Sequence, residues 1–126
     1  FDSDDLEYVN LFRGQAKNKT NDLEFSDHSV KEPFDSKNAE YIRRQIREKM
    51  ERASVTLCLI GRNTHASRWV DWELRTSSEL EKGLVGMYLY DPNGTVPQAL
   101  KVAKAEVVPW DHERVVAAID RAAKKR

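Results

Sequence analysis

The fold of this chain turns on residues 54–90, SVTLCLIGRNTHASRWVDWELRTSSELEKGLVGMYLY. Val55 to Ile60 is an unbroken apolar run, and Leu84 to Tyr90 is a second. Continuous apolar runs rich in β-formers mark strands buried on both faces, the habit of parallel sheets. Between them, Ser67 to Lys82 reads as a helix whose apolar residues include Trp69, Val70, Trp72 and Leu74, with Gly83 as its expected stop. Strand, helix and strand in that order make one right-handed crossover unit.

The pattern extends outward from this unit. Glu106 to Trp110 (EVVPW) reads as a further strand, and Leu23 to Ser26 (LEFS) as a weaker one. Asn38 to Arg52 carries Ile42, Ile46 and Met50 at a spacing of four, a narrow core stripe on a helix otherwise dominated by charge. That charge run reads as a solvated face. Glu40–Arg44 and Glu48–Arg52 stand in the favourable order for helix pairs, each contributing roughly 0.2–0.5 kcal/mol. Asp111 is the expected cap of a last helix with Val115, Val116, Ile119 and Ala123 inward. Residues 4–17 fit an amphipathic helix with Leu6, Val9 and Phe12 inward; Pro97 suits the start of a short helix to about Ala103. Asp91-Pro92-Asn93-Gly94 is a turn signal.

The alternation predicts an α/β fold: a single domain over residues 1–126, with a flavodoxin-like parallel sheet flanked by helices. One strand is missing before the first helix, and Phe1 would be its last residue. In a flavodoxin-like order that strand lies at the centre of the sheet, between the LEFS and VTLCLI strands. The expectation is therefore that the chain begins late and that apolar residues precede Phe1.

Composition narrows the function classes. The chain has 126 residues, 40% apolar and 33% charged, and its 21 basic and 21 acidic residues cancel. That balance lacks the basic footprint of a nucleic-acid binder. No apolar run approaches the ~18 residues that cross a membrane, and no signal peptide is visible. Cys58, the one cysteine, sits in mid-strand and reads as a small core residue in a reducing compartment. His28, His65 and His112 are scattered without metal-ligand spacing, so no metal site is expected. There is no phosphate-binding glycine motif. The VTLCLI strand ends in Gly61-Arg62, where a phospho-acceptor would need an aspartate, and FDSDD (1–5) would repel a phosphate.

Open parallel sheets bind ligands beyond the carboxyl ends of their strands. That edge carries FDSDD, SDHSVKEP (26–33), GRNTHASRW (61–69) and YDPNGT (90–95), and the helix holding Glu73 begins there. Glu73 shares a face with Trp69 and Leu80, in the apolar stripe. A buried carboxylate costs several kcal/mol and normally has a partner or a task. The plainer alternative has Glu73 turned to solvent or paired with Arg68 or Arg75. Trp72 reads as a packing residue; Trp69 reads as helix packing or as a surface for stacking.

FDSDD at a strand exit, the SDHSVKEP loop, SVTLCLIGRNTHASRWVDWEL and EKGLVGMYLYD together resemble TIR-like domains, in particular the bacterial Thoeris antiphage group. The resemblance covers nearly the whole chain. It is strongest from Ser54 to Tyr90, where strand, Gly-x-x-Thr loop, Trp-Val-x-x-Glu helix and strand follow in order. It implies a flavodoxin-like fold and cleavage of NAD⁺ at the nicotinamide–ribose bond, yielding ADP-ribose or a cyclic isomer. In Thoeris systems that isomer is a second messenger that activates a partner effector. By the match WVDWEL, the catalytic role falls on Glu73. The substrate-binding positions fall on Phe1, Asp2 and Ser3 at the first-strand exit, on Asp27 in the loop at about Ser26–Phe34, and on Trp69. NAD⁺ would be substrate, with no separate cofactor. The resemblance further implies a cytoplasmic protein, weakly active alone, that self-associates on activation as the Ser26–Phe34 loop moves. Nucleic-acid and membrane partners are not expected. The alternative is a non-catalytic TIR module that acts through self-association.

Overall fold

In a computed structural model of the chain, the described residues are 23–26, 34–89 and 94–124. The helix expected over residues 4–17 lies outside them, as does most of the turn at Asp91–Gly94. Four strands, β1 (Leu23–Ser26), β2 (Val55–Ile60), β3 (Gly83–Tyr88) and β4 (Glu106–Val108), form one sheet in the order β1-β2-β3-β4. Every pairing is parallel. The helices are α1 (Ala39–Arg52), α2 (Arg68–Glu79), α3 (Gln98–Val102) and α4 (His112–Lys124). This is the flavodoxin-like α/β class that the alternating pattern predicts.

Among the described residues no strand stands between β1 and β2. The sequence puts a strand between LEFS and VTLCLI, whereas here β1 pairs directly with β2, from Leu23 opposite Val55 to Ser26 opposite Cys58. The physical reason is that strand backbone groups need partners, and β1 supplies them to the β2 edge.

β2 separates two cores. Val55, Leu57 and Leu59 point to one face, where they pack with Val85, Met87 and Leu89 against Val115, Ala118 and Ile119 of α4. Cys58 and Ile60 point to the other, against Val70 and Leu74 of α2 and Ala99 and Leu100 of α3. All six β2 residues are buried, as a strand covered on both sides requires. Fully burying each large aliphatic side chain contributes about 1.5–3 kcal/mol. In α1, Ala39 and Met50 are buried while Ile42 and Ile46 are half-buried.

The end of α2 departs from expectation. Gly83 is not the stop; it is the first residue of β3. The turn is made by Glu81, in the left-handed region at φ 61°, with the Lys82 N–H donating back to the Ser77 carbonyl at 3.0 Å. Glycine is needed at 83 for a different reason. A Cβ there would lie 2.7 Å from the Ala122 carbonyl oxygen of α4.

Candidate active site

The site is built at the carboxyl ends of β2 and β3. The chain leaves β2 through Gly61 and turns back at once. The Gly61 N–H donates to Thr64 Oγ1 at 2.8 Å, and that hydroxyl donates on to the Leu59 carbonyl at 3.4 Å. Thr64 is fully buried, so the Gly-x-x-Thr spacing is a loop closure. A short 3-10 turn, Thr64–Ala66, follows. Ser67 then caps α2, its hydroxyl accepting from the Val70 N–H at 3.2 Å. Across the edge, Gly94 approaches so closely that a Cβ would lie 2.6 Å from the Gly61 carbonyl oxygen.

With its start fixed, α2 presents Trp69, Glu73 and Ser77 in one row toward the sheet. Ser77 is tied to β2, donating to Thr56 Oγ1 at 2.8 Å between two buried hydroxyls. Glu73, one turn earlier, is 1% exposed. It neither turns to solvent nor joins a surface pair. Arg68 is engaged bidentately by Asp35 at 2.7 and 3.1 Å, and Arg75 by Asp71 at 2.9 Å. The plainer alternative for Glu73 is therefore overturned, because both arginines lie on the outer surface while the carboxylate faces the core. Glu73 has interactions of its own, but its Oε1 atom is buried without a hydrogen bond.

Cys58 lies on the same side of β2. Burial, with the negative charge of Glu73 adding to it, pushes the Cys58 thiol up to about 12. It stays neutral at physiological pH and acts as the small core residue the sequence suggests.

Trp69 is 2% exposed and meets Phe34 edge-on at 5.1 Å and Trp72 at 6.1 Å. Both tryptophans therefore have packing roles in this structure. Phe1, Asp2, Ser3 and Asp27, the other substrate-binding positions expected from the sequence, lie outside the described residues. Among the described residues no three His, Cys, Asp or Glu side chains cluster as metal ligands, and no helix is long and apolar enough to cross a membrane.

Two features escaped the sequence reading. The buried pair of Thr56 and Ser77 had no signal, because its partners are 21 residues apart. The charge run of α1 was the second. Arg43, read as part of a solvated face, is half-buried against Phe34 and Trp69. The ion pair on that helix joins Arg47 to Glu51 at 3.5 Å, and Arg52 donates to the Glu48 backbone carbonyl rather than to its carboxylate.

Residues 1–93 match the family model described as Thoeris protein ThsB, TIR-like domain. No curated protein matches the chain.

Proposed function

Because the chain belongs to the Thoeris ThsB TIR-like domain family, we propose that it cleaves NAD⁺ and makes a cyclic ADP-ribose-type second messenger in antiphage defence. The observation that carries this reading is the burial of Glu73 on the inner face of α2, in the second turn from the capped start of the helix. A carboxylate held out of water is expensive unless its charge is used.

The chemistry suits such a group. When the bond between nicotinamide and ribose breaks, its electron pair leaves with nicotinamide, which departs neutral and needs no acid. The ribose is left with oxocarbenium-like positive charge. A preorganised carboxylate stabilises charge that develops only in the transition state. Capture of the ribose by an atom of the same molecule gives a cyclic product, and capture by water gives linear ADP-ribose. In this proposal Phe1, Asp2, Ser3, Asp27 and Trp69 shape the cleft, NAD⁺ is the substrate without a further cofactor, and the cytoplasmic protein self-associates when activated.

The test is product analysis by mass spectrometry after incubation with NAD⁺ and the activating trigger. The parent should release nicotinamide and a cyclic ADP-ribose isomer. Glu73→Gln, which keeps size and loses charge, should lower the rate at least ~10²-fold, about 2.7 kcal/mol. A Glu73→Gln variant that turns over like the parent ends the catalytic assignment. A triggered parent that leaves NAD⁺ intact supports the non-catalytic interaction module instead.

A further inference from the structure

Two guanidinium groups lie against the ring of Phe34. Arg43 Cζ lies 4.9 Å from the ring centroid and Arg68 Cζ 4.6 Å. Arg43 also lies 5.9 Å over Trp69, and its Nη1 donates to the Phe34 carbonyl at 3.2 Å. Aromatic stacking of this kind fixes a guanidinium before any ligand arrives, so less side-chain freedom is lost on binding. Arg68 points its fork at Asp35, with Nη1 and Nη2 on the two carboxylate oxygens at 2.7 and 3.1 Å. A guanidinium makes the same two parallel bonds to phosphate oxygens.

The cluster is also suitably placed. Arg68 is the first residue of α2, and Trp69 precedes Glu73 by four residues, ~6 Å of helix rise. Arg68 stands on the outer face of this first turn, and Glu73 faces inward from the next. Among Arg43, Arg68 and Asp35, two guanidiniums stand against one carboxylate. The Arg68 and Asp35 side chains are 63% and 74% exposed, so an entering anion can reach them. A surface pair so open to water contributes little net stability and is readily exchanged.

We infer that Arg43 and Arg68, braced on Phe34, form a diphosphate clamp, and that Asp35 is its internal competitor, releasing Arg68 when the ligand enters. The identity of the ligand as a dinucleotide rests on the NAD⁺-cleaving reading; its diphosphate chemistry rests on the cation cluster alone. Arg43 and Arg68 would then be binding residues and Asp35 a gate on affinity. If the Arg68–Asp35 bridge were merely structural, the Asp35 and Arg68 variants would affect ligand binding in the same direction or not at all.

The experiment is calorimetric titration of the protein with inorganic pyrophosphate, alongside NAD⁺ turnover of the same samples, with thermal melts to confirm folding. Arg43→Gln and Arg68→Gln should each weaken pyrophosphate binding about ten-fold or more, as expected for losing a hydrogen bond to a charged group. Arg68→Lys keeps the charge without the fork and should fall between. Asp35→Asn should strengthen binding, the opposite sign. The KM for NAD⁺ should follow the same signs, with the effect on KM rather than on kcat. Pyrophosphate affinity that ignores these substitutions, or moves in one direction for all of them, overturns the clamp. Should the parent leave NAD⁺ intact while the pyrophosphate series keeps its signs, the cleavage reading falls and the clamp stands. If NAD⁺ is cleaved and pyrophosphate binding ignores the series, the clamp falls alone.

Discussion

Ser77 of α2 donates a 2.8 Å hydrogen bond to Thr56 of β2, and both hydroxyls are buried. The bond lies one turn beyond Glu73 and fixes how far that turn stands from the sheet. Removing one partner leaves the other desolvated and unsatisfied, at a cost of about 1–3 kcal/mol. Ser77→Ala and Thr56→Val should each lower stability by that amount. The double variant should lose clearly less than the two losses together. Denaturant titration of the four proteins checks this, and strict additivity would show that the pair does not act as a unit.

Thr64 should be needed for its hydroxyl rather than its bulk. It accepts from Gly61 N–H at 2.8 Å inside a buried loop. Thr64→Val keeps the shape and strands that amide, so a loss of about 1–3 kcal/mol is expected. Thr64→Ser should restore most of it. Melting curves of both variants decide, and a valine variant as stable as the parent would contradict the closure role.

Cys58 ties stability to alkaline pH. Its thiol is raised from the ordinary 9.0 to about 12, chiefly by burial. The folded state therefore holds the proton more tightly than the unfolded state. The resulting stability is fully present below pH ~9 and is lost as pH rises toward about 12. Cys58→Ala should show a shallower decline over that window, while costing some stability at neutral pH through the cavity it leaves. Stability measured against pH for both proteins tests the sign. Below pH 9 the parent thiol should react with an alkylating reagent only as fast as the protein opens.

Gly83 and Glu81 should respond in opposite directions. A Cβ at Gly83 meets the Ala122 backbone at 2.7 Å, so Gly83→Ala should cost about 1–3 kcal/mol as α4 is pushed from the sheet. Glu81 carries a side chain at φ 61°, where L-residues are strained. Glu81→Gly should therefore stabilise the protein by up to ~1 kcal/mol. Thermal melts of the two variants should move apart around the parent.

The regular parts of the fold were legible because their signals are local. VTLCLI and LVGMYLY carry the mark of doubly covered strands, and the weak LEFS segment is a strand over the residues expected, Leu23–Ser26. Asp111 accepts from the Arg114 N–H at 3.2 Å, as an N-cap should. The position of Glu73 was legible as an anomaly, a charge in an apolar stripe, and its burial followed from the same periodicity. Pairing was much less legible. That Arg68 chooses Asp35, 33 residues away, over Glu73 depends on which elements meet in space. The stop of α2 is not legible in the sequence because Glu81, which makes the turn, is a residue type that rarely adopts left-handed backbone. Gly83 instead serves a tertiary contact with α4 that no local pattern encodes.

The order β1-β2-β3-β4 has a consequence for the route by which the described sheet assembles. Each strand pairs with the strand next in the chain, so no described ladder waits for a segment beyond its immediate neighbour. Partners in these parallel ladders lie 21–32 residues apart, so each connection must close before its ladder forms, at an entropy cost that grows only slowly with its length. β2 and β3 form the longest ladder, six registered pairs from Val55–Gly83 to Ile60–Tyr88. They are the natural seed, with β1 and β4 added on either flank. On that route α2 is held against β2 at the outset, so the Glu73 row takes shape with the first part of the sheet rather than after the last.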